Sequence, residues 1–199
     1  MENIAIYWGS FNPPTLAHSQ VITEVIEHTD IDKIIVSPSW ERLDKDHWIE
    51  HHHREKLNQI FYKILQDSGI NVELDSHFFD WKNDWDTTTV QEEVYFREKL
   101  WISPHFIYGS DVVSQMSTWS WNENRFIEEK LKKIFITRPG YKFEPQKHWI
   151  ENFILLDIPH MLDISSSMTK EMIQNKQCVS DILSPKIVEY IEKNRIYNN

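Results

Sequence analysis

At 199 residues, with 40% hydrophobic and 13% aromatic side chains, the chain can build one α/β domain with a full core, which excludes a disordered protein. Its 21 basic against 31 acidic residues give a net charge of −10, which excludes a duplex nucleic-acid binder with a basic stripe but not a site for a small anion. Cys178 is the sole cysteine, so neither an intramolecular disulfide nor a cysteine-rich metal centre is available. No run approaches the roughly 18–20 apolar residues of a membrane span, and the chain opens in a strand-like run rather than a signal peptide. A soluble, cytoplasmic, single-domain protein over residues 1–199 is expected, with no membrane or nucleic-acid partner.

In chain order, "NIAIYW", "DKIIVS", "INVELD", "HFIYG" and "KIFITR" read as buried strands, with "NFILLD" as a sixth candidate. Segments of helical period lie between most of them. Leu16, Ile22, Val25 and Ile26 share one face after the first strand, and Leu57, Ile60, Phe61, Ile64 and Leu65 share one after the second. Ser165, Ser166 and Ser167 read as a helix cap, and Pro185 starts a last amphipathic helix carrying Ile187, Val188 and Ile191. The expected fold is a Rossmann-like, doubly wound parallel sheet of five to six strands, with helices on both faces and a C-terminal helical segment. Ligands of such sheets bind beyond the carboxyl ends of the strands.

The first strand-to-helix turn, "GSFNPPTLAH" (residues 9–18), carries more than a connection needs. Gly9 permits close backbone approach, Pro13 and Pro14 stiffen the path, and Thr15 and His18 fall at a helix N-terminus, where N–H groups suit phosphate. The plain alternative is a capped helix with a surface histidine. The turn is neither a P-loop nor a G-x-G-x-x-G dinucleotide turn. His51, His52 and His53 suggest a metal, but consecutive helical side chains diverge, so no metal site is assigned to them.

This turn resembles the G-[GS]-[TS]-F-[DN]-P-x-[HT]-x-x-H signature of the nucleotidylyltransferase α/β-phosphodiesterase superfamily. "ISSSMTK" (164–170) resembles its second signature, I-S-S-T-x-x-R. "YGSDVVSQMSTWSW" is similar to its G-x-D segment followed by tryptophan, "ITRPGY" to its R-P-G segment, and "SPKIVEYIEKNRIY" to its closing helix. Within the superfamily the chain is most similar to adenylyltransferases that join ATP to nicotinate or nicotinamide mononucleotide. The resemblance implies attack of the mononucleotide phosphate on the α-phosphorus of ATP, with no covalent enzyme intermediate and with Mg²⁺ carried by the ATP phosphates.

By the same resemblance, His18, Thr15 and Lys45 form the catalytic set. Gly9, Ser10, Phe11, His18, Gly109, Asp111, Ser166, Ser167 and Lys170 hold ATP, with Asp111 on the ribose and Ser166 and Ser167 capping the helix that receives the outer phosphates. Lys170 stands where the signature has arginine, keeping the charge without the planar fork. Lys45, nine residues before Arg54, matches a phosphate-contacting lysine of the nicotinamide branch; its plain alternative is a solvated loop lysine. Trp85, Thr88 and Trp119 match residues around the pyridine ring, whereas Trp48, Trp101, Trp121 and Trp149 read as core filling.

The hydroxyls of "WDTTT" and the acidic "DWKNDWD" favour acceptance of the neutral amide mononucleotide. The nearest rivals are a cytidylyl- or pantetheine-type transferase of the same superfamily and a nucleotide-binding regulator without turnover. Homo-oligomerisation is left open.

Overall fold

The computed structural model describes residues 2–39, 49–79, 89–113, 124–137, 142–148 and 150–198. Six parallel strands form one sheet: β1 (Ile4–Gly9), β2 (Lys33–Pro38), β3 (Val72–Leu74), β4 (His105–Gly109), β5 (Lys132–Ile136) and β6 (Phe153–Leu156). Their order is β3-β2-β1-β4-β5-β6, the Rossmann-like arrangement expected, and "NFILLD" is the sixth strand. The order reverses between β1 and β4, so a crevice opens beyond Gly9 and Gly109. The strand read in "INVELD" is shorter than the run. Asp75 turns the chain by accepting the His77 N–H at 2.8 Å.

Period-two alternation sorts each strand's side chains onto two faces. Ala5, Ile34, Val36, Ile107, Ile134 and Ile136 join the core that includes residues of α1 (Leu16–His28), α2 (His51–Asp67), α5 (Ser166–Gln174) and α6 (Pro185–Asn194). Ile4, Ile6, Ile35, Phe106, Tyr108 and Phe135 face the other way, with residues of α3 (Thr89–Leu100) and α4 (Asn124–Glu129). The apolar stripes read for α1 and α2 are the buried or half-buried ones. Pro185 begins α6 as expected.

Trp101 is not core. It follows α3 in a left-handed conformation (φ 57°) that throws its ring outward, 89% exposed, while Ile102 packs inward instead. Trp48, Trp121 and Trp149 lie outside the described residues.

Lys133 is a buried cation. Its Nζ donates to the carbonyls of Ile127 and Leu131 at 2.6 and 2.7 Å, closing the end of α4. Lys133→Met orphans both carbonyls, and chemical denaturation should show a loss of about 2–4 kcal/mol. A loss below about 0.5 kcal/mol would mean those carbonyls find other donors.

Candidate active site

Beyond β1 the chain turns sharply at Phe11, whose φ is 42°. Its ring folds back into the core, stacked on Phe61 at 5.9 Å and edge-on to His18 at 5.1 Å and Tyr7 at 5.3 Å. A Cβ at Gly9 would meet that ring at 3.2 Å, so glycine lets strand and anchor come together. With its ring buried, Phe11 has only main-chain groups for a ligand.

The turn is then tied down from three sides. Asn12 accepts a hydrogen bond from the Tyr197 hydroxyl, a phenol that burial pushes up in pKa and the Arg54 guanidinium pulls down. The Pro13 carbonyl accepts from Ser166 Oγ at 2.9 Å. Ser10 and Ser39 present their carbonyls to Arg54 Nη2 at 3.1 and 2.9 Å.

At the start of α1, His18 Nδ1 accepts the Thr15 backbone N–H at 2.9 Å and lies 2.8 Å from Thr15 Oγ1. A backbone amide can only donate. Nδ1 therefore carries the lone pair, and the neutral ring's proton sits on Nε2. Thr15 and His18 thus act as one unit: a buried threonine fixes the tautomer of a half-buried imidazole. That arrangement suits an oxygen that gains negative charge.

Gly109 and Asp111 stand at the end of β4, beside β1, with Asp111 in the 3₁₀ turn Ser110–Val112. Ser166 reaches the opening turn, but the cap assignment needs correcting. Ser165 is the N-cap of α5, its Oγ accepting the Met168 N–H at 3.1 Å. Ser166 is used to join the two signatures, and Ser167 is exposed. Lys170 lies one turn after Ser166 and is buried. Lys45, Trp85, Thr88, Trp119 and residues 138–141 of "ITRPGY" lie outside the described residues.

The three adjacent histidines face three partners. His51 reaches the Phe79 carbonyl, His52 the Glu50 carboxylate and His53 the Tyr190 hydroxyl. Burial is the first cause that lowers the His53 pKa, with His52 next and Glu50 opposing both.

Arg54 was absent from the expected site. Its signal is in the sequence: it shares a helical face with Leu57, Asn58, Phe61 and Leu65, a charge on an otherwise core-facing stripe. Tyr197 and Asn12, 185 residues apart, gave no such signal.

A family profile described as cytidylyltransferase-like matches residues 6–172, spanning both signatures. A protein of Aliarcobacter butzleri named "Probable nicotinate-nucleotide adenylyltransferase" is 29% identical over 189 residues, covering 90% of this chain and 92% of that protein. One of the same name from Clostridium tetani is 26% identical, over 99% and 100% of the two chains. Among solved structures, Plasmodium falciparum nicotinic acid mononucleotide adenylyltransferase complexed with NaAD superposes with a TM-score of 0.83 at 25% identity, over 100% of this chain and 98% of that one. The opening turn, the switch-point crevice and the start of α5 all fall within the matched residues, and the chain belongs to the cytidylyltransferase-like family.

Proposed function

We propose that the chain transfers the adenylyl group of ATP to nicotinate or nicotinamide mononucleotide, giving deamido-NAD or NAD plus pyrophosphate. One observation carries this reading: Ser166 Oγ on the Pro13 carbonyl joins the two nucleotide signatures across 153 residues of sequence. The names of the related proteins and the likeness to the NaAD complex support it. Residues 1–199 act as one nucleotidylyltransferase unit. Among the described residues no helix is long and apolar enough to cross a membrane, and we place the reaction in the cytoplasm.

A phosphate oxygen of the mononucleotide bonds to the α-phosphorus of ATP. The bond from that phosphorus to the α,β-bridging oxygen breaks, and pyrophosphate leaves with its electron pair. No residue need be modified, so the protein's work is positioning and charge stabilisation. His18 Nε2–H is the donor for the phosphate oxygens, oriented by Thr15, and the Gly9–Phe11 main chain brackets the nucleotide. Asp111 takes the ribose, Lys45 and Lys170 neutralise phosphate charge, and Trp85, Thr88 and Trp119 hold the pyridine ring. The turn's donors suit phosphate oxygens rather than a metal, so Mg²⁺ would be held by the ATP phosphates and would supply charge neutralisation there.

Pyrophosphate release from ATP, Mg²⁺ and each mononucleotide tests the reading. Turnover with CTP or with a pantetheine phosphate instead would replace it, and binding without turnover would favour a regulator. The relatives are named for the acid substrate, while the acidic "DWKNDWD" favours the amide. We expect the amide to be used at a rate comparable to the acid's. An acid preference above about 10²-fold in kcat/KM, roughly 2.7 kcal/mol, would overturn that expectation and leave adenylyl transfer intact.

A further inference from the structure

The opening turn and its anchors occupy one side of the crevice. On the other side, the penultimate residues of three adjacent strands form a row. Trp8 is the register partner of Ser37. The β1–β4 register, Ile6 beside Phe106, brings Trp8 alongside Tyr108 when carried two residues on. All three alternate onto the sheet face covered by α3, at its carboxyl edge.

The first turn of α3 covers this end of the sheet face, with Thr89 bonded to the Tyr108 hydroxyl and Glu92 near enough to raise the Tyr108 pKa by its charge. Helical side chains lean toward their helix's N-terminus. For Glu92, that direction is the crevice. Glu92 is 1% exposed, yet among the described residues its Oε1 has no hydrogen-bond partner, and Trp8 Nε1 and Ser37 Oγ are buried in the same condition. Buried polar atoms are nearly always paired. Three orphans at one carboxyl edge mark a place that costs stability in the free protein and gains its partners from a ligand.

We propose that Glu92 and Trp8 form the polar floor of the mononucleotide site and read the ring's carboxamide, making Glu92 a specificity residue for the amide substrate. This rests on the adenylyltransferase reading. The donor pattern carries the choice of group. An indole N–H only donates, so it meets a carbonyl or carboxylate oxygen alike. Oε1 accepts, and an amide NH₂ is the complementary donor; a substrate carboxylate has no hydrogen to give. Burial pushes the Glu92 pKa well above the usual carboxyl range. The neutral carboxyl adds no negative charge, its hydroxyl donates to a carbonyl or carboxylate oxygen alike, and its carbonyl oxygen accepts only from the amide. The amide gains a hydrogen bond, and the acid is tolerated.

Kinetics of Glu92→Leu, Glu92→Met and Trp8→Phe at saturating ATP test this. Both Glu92 variants should lower the amide-to-acid ratio of kcat/KM at least tenfold and leave KM for ATP within twofold. Their thermal midpoints should rise, because a buried unpartnered carboxyl is gone. Trp8→Phe should lower kcat/KM about tenfold for both mononucleotides, and it remains a test if neither Glu92 variant folds. An equal loss on both substrates in the Glu92 variants, no loss in any variant, or a wild type that rejects the amide more than about hundredfold overturns the inference alone. A wild type that releases pyrophosphate with neither mononucleotide overturns the adenylyltransferase reading and this inference with it.

Discussion

His18→Ala should lower kcat by about 10²-fold or more while the fold survives, because it deletes a single preorganised donor to charge that develops in the transition state. The geometry sets the size of the effect. Thr15 fixes the imidazole through Nδ1 at 2.9 Å, and Phe11 and Tyr7 hold the ring at centroid distances of 5.1 and 6.2 Å. On the proposed function, a ring so held meets the phosphate without reorganising at the moment of reaction. Thr15→Val keeps the backbone N–H and loses only the hydroxyl, so its effect should be several-fold rather than hundredfold. The fold loses little in either variant, since a helix cap is worth about 1 kcal/mol. Steady-state rates with circular dichroism as the folding control decide the matter. Turnover of His18→Ala within a few-fold of wild type would remove this turn from the chemistry.

The sheet was legible because each strand is a short apolar run and the first two crossovers carry a 3.6-residue stripe. Even the weak "NFILLD" run takes its place, at the edge beside β5. Long-range pairing was not legible. Ser166 differs in no local way from Ser165 or Ser167, yet only its hydroxyl meets Pro13, and the cap falls to Ser165. Trp101 looked like core because of its chemistry, but a helix ending at Leu100 and a left-handed residue after it decide where the ring goes. Glu92 gave no warning either. A glutamate in a first helical turn reads as dipole-friendly surface, and only the packing of α3 onto the sheet makes it a buried acid. Arg54 is the intermediate case, visible as an exception to an apolar stripe but unreadable in purpose.

That purpose yields the second large expectation. Arg54 is 0% exposed, its Nη2 shared between the Ser10 and Ser39 carbonyls, with its guanidinium carbon 5.0 Å from the centre of the Phe79 ring. It therefore ties β1's exit to β2's exit. The Ser39 N–H to Gly9 carbonyl bond at 2.9 Å closes the same loop. Arg54→Leu fills much of the space but leaves two buried carbonyls without their donor, at about 1–3 kcal/mol each. Urea denaturation should show a loss of about 2–5 kcal/mol, whereas Arg54→Lys, which keeps the charge and one donor, should recover part of it. Activity should fall further than stability requires, because the proposed function has this turn hold the reacting phosphates, and a displacement of about 1 Å costs on the order of 10²-fold in rate. That excess separates a positioning role from simple scaffolding. In folded Arg54→Lys, assayed well below its unfolding midpoint, kcat should drop tenfold or more with the His18 and Thr15 side chains intact. A lysine variant as active as wild type would mean the turn holds its shape through Tyr197 and Ser166 alone.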